Sequence, residues 1–286
     1  MKPTRPSEVQ TVLLERRIFP STAMGQSFLI DANIRDQIVA AAALKEGDRV
    51  LEIGPGLGVL TGALLETGAT VVAVEKDEAL SDWLQESLGD HPRFTLIRGD
   101  FLKQDIAGLS HGISSVVSNL PYSVGSRMLM EFFALDDPPP QLVVTVQREV
   151  GERMAAPPGG KIRGLLGVWA QLCYRVQIVR MINPSCFMPR PQVFSAVMRL
   201  QRLTKGVKTT PLERKAFRAL TKEAFSQRRK QLGTVLCHSN ARGALPADPA
   251  AWLASVGLDP KLRAEALSID QWIRLARAAT AGATPA

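Results

Sequence analysis

Residues 49–77 read RVLEIGPGLGVLTGALLETGATVVAVEKD, and the fold class follows from how this stretch is divided. RVLEIG (49–54) is a short apolar run that empties into Gly54, Gly56 and Gly58. VLTGALLETG (59–68) suits a helix ended by Gly68, and TVVAVEKD (70–77) is a second apolar run that finishes in acids. Strand, glycine turn, helix and strand make a βαβ unit, which demands parallel strands buried on both faces.

Outward from this unit the alternation continues. RFTLIRGD (93–100), SSVVSN (114–119) and QLVVTVQ (141–147) are expected as strands, with helices near 78–88, 123–134 and 162–172. YRVQIVRMI (174–182) and FSAVMRLQ (194–201) follow one another with no room for a helix between them, so at least one is expected to be antiparallel. The expected fold is α/β: a doubly wound, Rossmann-like sheet, mostly parallel with an antiparallel strand. After about residue 205 strand signals stop, and PLERKAFRALTKEAFSQRRKQLGTVL reads as helix, with Thr210-Pro211 as its start. The expected division is an N-terminal extension (1–24), the sheet domain (25–204) and a small all-helical C-terminal domain (205–286). AAPPGGK (155–161) is either a loop beside the site or a turn facing a nucleic acid. Only the tail TAGATPA is low in complexity.

Lys and Arg number 35 against 27 Asp and Glu, an excess of 8. The window 201–240 alone carries Arg202, Lys205, Lys208, Arg214, Lys215, Arg218, Lys222, Arg228, Arg229 and Lys230 against only Glu213 and Glu223, so the basicity is local. Charge of one sign in one place points to a polyanion. No apolar run reaches the roughly 18 residues of a membrane span. MKPTRPSEVQTVLLERR has no apolar core of a secretory signal, and a cytoplasmic protein is expected. Cys173, Cys186 and Cys237 are scattered, as are His91, His111 and His238, so neither disulfide nor metal is expected.

Gly54, Gly56 and Gly58 form G-x-G-x-G, not the dinucleotide fingerprint, and alone they signal only a tight turn or a ligand held close to backbone. Glu75 ends the next strand about 20 positions later, the spacing at which an acid accepts from ribose hydroxyls. Asp100, in RGDFL, ends the third strand and can accept from an adenine amine. Three strand tips in register favour an adenosine ligand. No phosphate-binding G-x-x-x-x-G-K-[ST] exists, and Glu52 inside the first strand would repel a pyrophosphate but suit the ammonium of a methionine moiety. These residues resemble the S-adenosylmethionine-dependent methyltransferases.

The fourth strand delivers Asn119-Leu120-Pro121-Tyr122 to the same edge. An exocyclic adenine amine is a poor nucleophile because its lone pair is delocalised into the ring. The Asn119 side-chain oxygen and the Leu120 carbonyl can accept its two N–H bonds, which favours a pyramidal nitrogen with its lone pair aimed at the methyl donor. Pro121 would stiffen the turn, and Tyr122 would stack on the extruded base.

The chain as a whole, from about residue 20 to 275, resembles the ribosomal RNA adenine N6,N6-dimethyltransferases of the kasugamycin-resistance type. The resemblance is carried by GQSFLID (25–31), LEIGPGLGVLT, VVAVEKD, RGDFL, SNLPYS, VTVQREVGERM (144–154), CFMPRPQVFSAVMRL (186–200) and FSQRRKQLGTVL (225–236), in that order. It implies S-adenosylmethionine contacts at Ser27, Leu29, Gly54, Gly56, Glu75, Asp100 and Asn119. It gives the catalytic role to Asn119, Leu120, Pro121 and Tyr122, with Phe187 as a second ring against the target base; on its own, Phe187 reads as core. It implies RNA binding by Lys222 and by the triplet Arg228-Arg229-Lys230, expected on a helix. The implied reaction is N6-dimethylation of two adjacent adenines in the 3′-terminal hairpin of small-subunit rRNA during subunit assembly, by a protein expected to be a monomer. Two departures stand out: Ser27 occupies a position where the family usually has Asn or His, so its cofactor contact is expected to be shorter or water-mediated, and SVGS replaces the commoner segment after the tetrapeptide. Gln147, Arg148 and Glu149 are expected to form a structural network. Two other readings stay open at this point: a large-subunit adenine methyltransferase of the macrolide-resistance type, and a non-catalytic RNA-binding assembly factor.

Overall fold

The computed structural model describes residues 5–20, 25–204, 209–238 and 248–281. Its strands are β1 (Phe28–Leu29), β2 (Arg49–Ile53), β3 (Thr70–Glu75), β4 (Phe94–Arg98), β5 (Ser115–Asn119), β6 (Gln141–Gln147), β7 (Tyr174–Ile182), β8 (Phe187–Met188) and β9 (Ser195–Arg202). The helices of the first half are α1 (Pro6–Glu15), α2 (Ala32–Ala42), α3 (Val59–Glu66), α4 (Glu78–Leu88), α5 (Ile106–Ser110) and α6 (Gly125–Ala134). Those that follow are α7 (Arg148–Ala155), α8 (Leu165–Cys173), α9 (Pro211–Ser226), α10 (Leu232–Cys237), α11 (Pro249–Ser255) and α12 (Ile269–Ala281).

Seven strands form one sheet in the order β4-β3-β2-β5-β6-β9-β7. Pairings from β4 across to β6 are parallel, and β9 runs antiparallel to both β6 and β7. The doubly wound fold with its antiparallel strand is therefore as expected. The chain runs outward from β2 through β3 to β4, then returns to the other side of β2 with β5. That reversal opens a crevice at the carboxyl ends of β2 and β5, where sheets of this kind hold ligands. β2 and β5 read as unbroken apolar runs because both faces are covered: Val50, Leu51, Val116 and Val117 are fully buried.

Contacts divide the chain into two compact units, one of residues 1–152 and 174–202 and the other of residues 153–173 and 203–286. The stretch 153–173, expected within the sheet domain, instead groups with the helices. The N-terminal extension is not a loose arm where it is described: Val9, Val12 and Leu13 of α1 join the core of the sheet unit. In the helical unit, Thr210 starts α9 as expected. Its hydroxyl accepts from the Glu213 amide (3.1 Å) and the Glu213 carboxylate accepts from the Thr210 amide (2.8 Å). With Pro211 at the first turn this cap contributes about 1 kcal/mol. Among the described residues no helix is long and apolar enough to cross a membrane.

One expected helix is corrected. Arg228, Arg229 and Lys230 lie in a turn, because α9 ends at Ser226 and α10 begins at Leu232. The break is tertiary in origin: the Leu232 amide donates to the Leu262 carbonyl (2.7 Å) and the Gly233 amide to the Pro260 carbonyl (2.9 Å). A side chain at Gly233 would start 3.0 Å from Pro260. Those bonds draw the backbone away from the α9 axis. Lys205, Lys208 and the last five residues of the TAGATPA tail lie outside the described residues.

Candidate functional site

A cavity of about 250 Å³ opens at the carboxyl ends of β2, β3, β4 and β5. Its walls include Ser27, Leu29, Glu52, Gly54, Gly56, Glu75, Asp100, Asn119, Leu120, Pro121 and Tyr122, so the structure brings every expected cofactor residue and the tetrapeptide to one place. Phe187 is the exception among the expected cofactor and catalytic residues. Its ring is 2 % exposed and packed in the hydrophobic core, and it is not part of the cavity wall. The reason is register: β8 pairs antiparallel with β1, placing Phe187 opposite Leu29, itself buried.

The glycine turn after β2 is shaped by left-handed backbone at Gly54 (φ 63°), Gly56 (φ 58°) and Gly58 (φ 79°), which side chains resist. A Cβ on Gly56 would lie 3.0 Å from the Phe28 ring. From behind, α4 clamps the turn, because the Trp83 indole donates to the Leu57 carbonyl (3.2 Å). Glu75 locks the same turn to the end of β3. One carboxylate oxygen accepts from the Gly56 amide (3.1 Å), and the other from the amides of Lys76 (2.8 Å) and Asp77 (2.9 Å). Burial pushes the Glu75 carboxyl up from its ordinary value, and these three amides pull it back. Glu75 is therefore a structural pin of the glycine turn as well as a cavity wall, which its spacing alone did not disclose.

Glu52 is 1 % exposed, and its Oε2 has no hydrogen-bond partner. Burial, reinforced by the negative charge of Glu75 and partly offset by Thr61, pushes its pKa up to about 8. Asp100, in the same cavity wall, is shifted the other way. Lys76 Nζ lies 3.0 Å from its carboxylate and the Leu102 amide donates to it (3.0 Å), so its pKa falls below the ordinary range. Lys76 reaches Asp100 from the neighbouring strand end, 24 positions away, a pairing that the strand pattern does not disclose.

Asn119 ends β5. Its Nδ2 donates to the Ser27 carbonyl (2.9 Å), which can only accept, so the amide orientation is determined. Oδ1 is left buried and without a partner. The Ser27 hydroxyl donates to the Pro189 carbonyl (2.8 Å), which uses its one proton and leaves its oxygen able only to accept. The Leu120 amide donates to the Thr145 carbonyl (3.2 Å), and the amides of Val124 and Gly125 close on the Pro121 carbonyl (3.3 and 2.8 Å). Tyr122 lines the cavity while its hydroxyl shares a short hydrogen bond with Ser195 Oγ. Ser195 is fully buried and opposite Gln147, because antiparallel β9 begins where β6 ends. Its partnership with Tyr122 spans 73 residues. The quoted CFMPRPQVFSAVMRL contains it but gives no sign of it.

Two orphaned buried oxygens on one cavity wall, Glu52 Oε2 and Asn119 Oδ1, call for hydrogen-bond donors from a ligand. An ammonium beside the first, which would draw Glu52 to its ionised form, and an amine beside the second would satisfy them. The residues present therefore fit S-adenosylmethionine. Among the described residues no group of three His, Cys, Asp or Glu side chains could hold a metal ion.

A family model described as ribosomal RNA adenine dimethylase matches residues 21–281. The chain belongs to the ribosomal RNA adenine dimethylase family. The protein named Ribosomal RNA small subunit methyltransferase A in Phenylobacterium zucineum is 40 % identical over 262 residues, covering 91 % of this chain and 88 % of the relative. Its namesake in Opitutus terrae is 38 % identical over 279 residues, covering 94 % and 97 %. Among solved structures, a dimethyladenosine transferase from Plasmodium falciparum superposes with a TM-score of 0.73 at 23 % identity, over 87 % of this chain and 95 % of that one. The 23S rRNA methyltransferase ErmE gives 0.64 at 23 % identity, over 88 % and 99 %. At such identities these two show the fold alone. As a member of the dimethylase family the chain is an S-adenosylmethionine-dependent rRNA adenine dimethyltransferase.

In the helical unit the expected RNA-binding residues differ in kind. Arg229 and Lys230 are exposed. Arg228 is exposed too, but its guanidinium donates to the carbonyls of Lys161 (3.0 Å) and Arg163 (2.9 Å), which ties it to the 155–161 loop region. Lys222 leans over the Trp169 ring, with Nζ 5.5 Å from the centroid. Arg148 pairs with Glu152 (3.5 Å), a residue outside the expected group of Gln147, Arg148 and Glu149.

Proposed function

We propose that the enzyme transfers two methyl groups to N6 of each of two adjacent adenines in the 3′-terminal hairpin of small-subunit rRNA, as a cytoplasmic monomer acting during subunit assembly. The observation that carries the assignment of roles is the Asn119 amide, pinned through its nitrogen so that its oxygen stands unpartnered at the cavity wall. When bound, S-adenosylmethionine supplies an electrophilic methyl group on sulfur. Gly54, Gly56, Glu75 and Asp100 would hold its adenosine portion, with Leu29 and the Ser27 backbone on the flank and Glu52 toward the ammonium.

Asn119 Oδ1 accepts one N–H of the target amine and the Leu120 carbonyl the other, drawing the lone pair out of conjugation. Pro121 stiffens the turn that presents that carbonyl. The Tyr122 ring, its hydroxyl tethered to Ser195, offers a flat face to the extruded base. No strong general base is needed, since the amine proton turns acidic once nitrogen is methylated; positioning does the work. Arg229, Lys230 and Lys222 meet RNA phosphates, with Arg228 holding the loop beside them.

Incubation with methyl-labelled cofactor and precursor small subunits should label those adenines, and Asn119→Ala should cut turnover by about a hundredfold or more while still binding cofactor. Label on large subunits instead would assign the macrolide-resistance type of activity. Equal turnover by wild type and Asn119→Ala would remove the catalytic assignment.

A further inference from the structure

The segment Arg190–Phe194 joins β8 to β9, and both of its ends are tied to the catalytic tetrapeptide. At one end the Ser27 hydroxyl donates to the Pro189 carbonyl, while the Ser27 carbonyl takes the Asn119 amide. At the other end Ser195 holds the Tyr122 hydroxyl. Between the tethers Arg190, Gln192, Val193 and Phe194 are all exposed. Val193 and Phe194 are each 44 % exposed, side by side on a segment with no core to cover them.

Leaving a valine and a phenyl ring in water is unfavourable, and adjacent apolar side chains at a site rim mark a surface that something covers. The ring is also held in place. The Arg148 amide donates to the Phe194 carbonyl (2.9 Å), and the Arg148 guanidinium lies 5.9 Å from the ring centroid. Arg148 is itself braced by Glu152, whereas no hydrogen bond or ion pair engages the Arg190 side chain among the described residues. A braced aromatic ring and an unengaged cation, a few residues apart, are what an unpaired nucleotide needs: a stacking face and a phosphate partner.

Resting on the reading that the Tyr122 slot takes an rRNA adenine, we propose that Arg190–Phe194 is the rim on which the RNA strand beside the target adenine sits. Phe194 stacks on a neighbouring base that extrusion of the adenine leaves exposed, and Arg190 contacts a backbone phosphate. Because both ends of the rim are bonded to Asn119 and Tyr122 or their partners, RNA seated on it also braces the tetrapeptide.

Steady-state methyl transfer to precursor small subunits tests this with Phe194→Ala, Phe194→Trp and Arg190→Ala, alongside cofactor binding by calorimetry. Phe194→Ala should raise KM for the subunit about tenfold, the size of one lost base–aromatic stack, and Phe194→Trp should restore it. Arg190→Ala should flatten the dependence of log KM on log salt by somewhat less than one. Cofactor Kd should stay within twofold in all three, which separates the rim from a general loss of structure. A Phe194→Ala enzyme whose KM matches wild type would overturn the rim. Wild-type protein that methylates no small subunit would instead overturn the functional reading, and the rim with it.

Discussion

In the sheet unit Glu52 and Glu75 are 1 % and 5 % exposed, and Glu75 is surrounded by backbone amides. In the helical unit Lys222, Arg229 and Lys230 are exposed. Burial holds both acids at the cavity wall, and backbone amides fix Glu75 so that it cannot swing to another partner, an arrangement suited to recognising a small ligand atom by atom. The exposed cations of the helical unit stay hydrated, which suits the many weak, screened contacts by which we propose it holds a polyanion. One cation there breaks the pattern and clarifies it. Arg163 is fully buried and donates to the carbonyls of Glu265 and Leu267 and to the Gln171 amide oxygen, and burial lowers its pKa. Burial makes Arg163 a strut, whereas Arg229 and Lys230 stay exposed, as the proposed contact with RNA phosphates requires.

Changing Glu75 should have the largest effect in this contrast. Glu75→Ala strands the amides of Gly56, Lys76 and Asp77, and should cost roughly 2–3 kcal/mol of stability and at least about a hundredfold in cofactor affinity. A thermal melt and a cofactor titration check both; cofactor affinity close to wild type would show that the turn holds itself without its pin. Next comes the exposed pair. Arg229→Ala with Lys230→Ala should weaken RNA binding about tenfold at moderate salt and reduce its salt slope by about one to two, with cofactor affinity and melting temperature unchanged. A loss that does not depend on salt would mean these side chains act through structure.

The smallest effect concerns pH. Folded Glu52 keeps its proton up to about pH 8, while the unfolded chain loses it near the ordinary value of 4.5. Between those values the folded protein binds more protons than the unfolded one, so the Glu52 contribution to stability falls as pH rises and levels off above about 8. Melts of cofactor-free protein from pH 5 to 8.5 should therefore show wild type losing a few degrees relative to Glu52→Gln. Parallel curves would place Glu52 in contact with solvent or an unrecognised cation.

The sheet was legible because it is built from contiguous, locally readable pieces. A buried parallel strand announces itself as an apolar run, and its tip as the Gly, Glu, Asp or Asn that follows; Gly54, Glu75, Asp100 and Asn119 meet at one cavity because they occupy equivalent positions on parallel strands. Cavity lining by Tyr122 was likewise readable from its place after Pro121. What the residues alone left dark depended on partners far along the chain. The two-residue strands β1 and β8 exist only because Phe28 finds Met188 and Leu29 finds Phe187, and that pairing puts the Phe187 ring in the core. The turn holding Arg228 to Lys230 replaces an expected helix because residues 232 and 233 bond to 262 and 260. Periodicity along a chain records which face a segment buries. It carries no information about which distant carbonyl will capture an amide, and that choice, made only when the elements pack, decided where Ser195, Phe187 and the basic triplet stand.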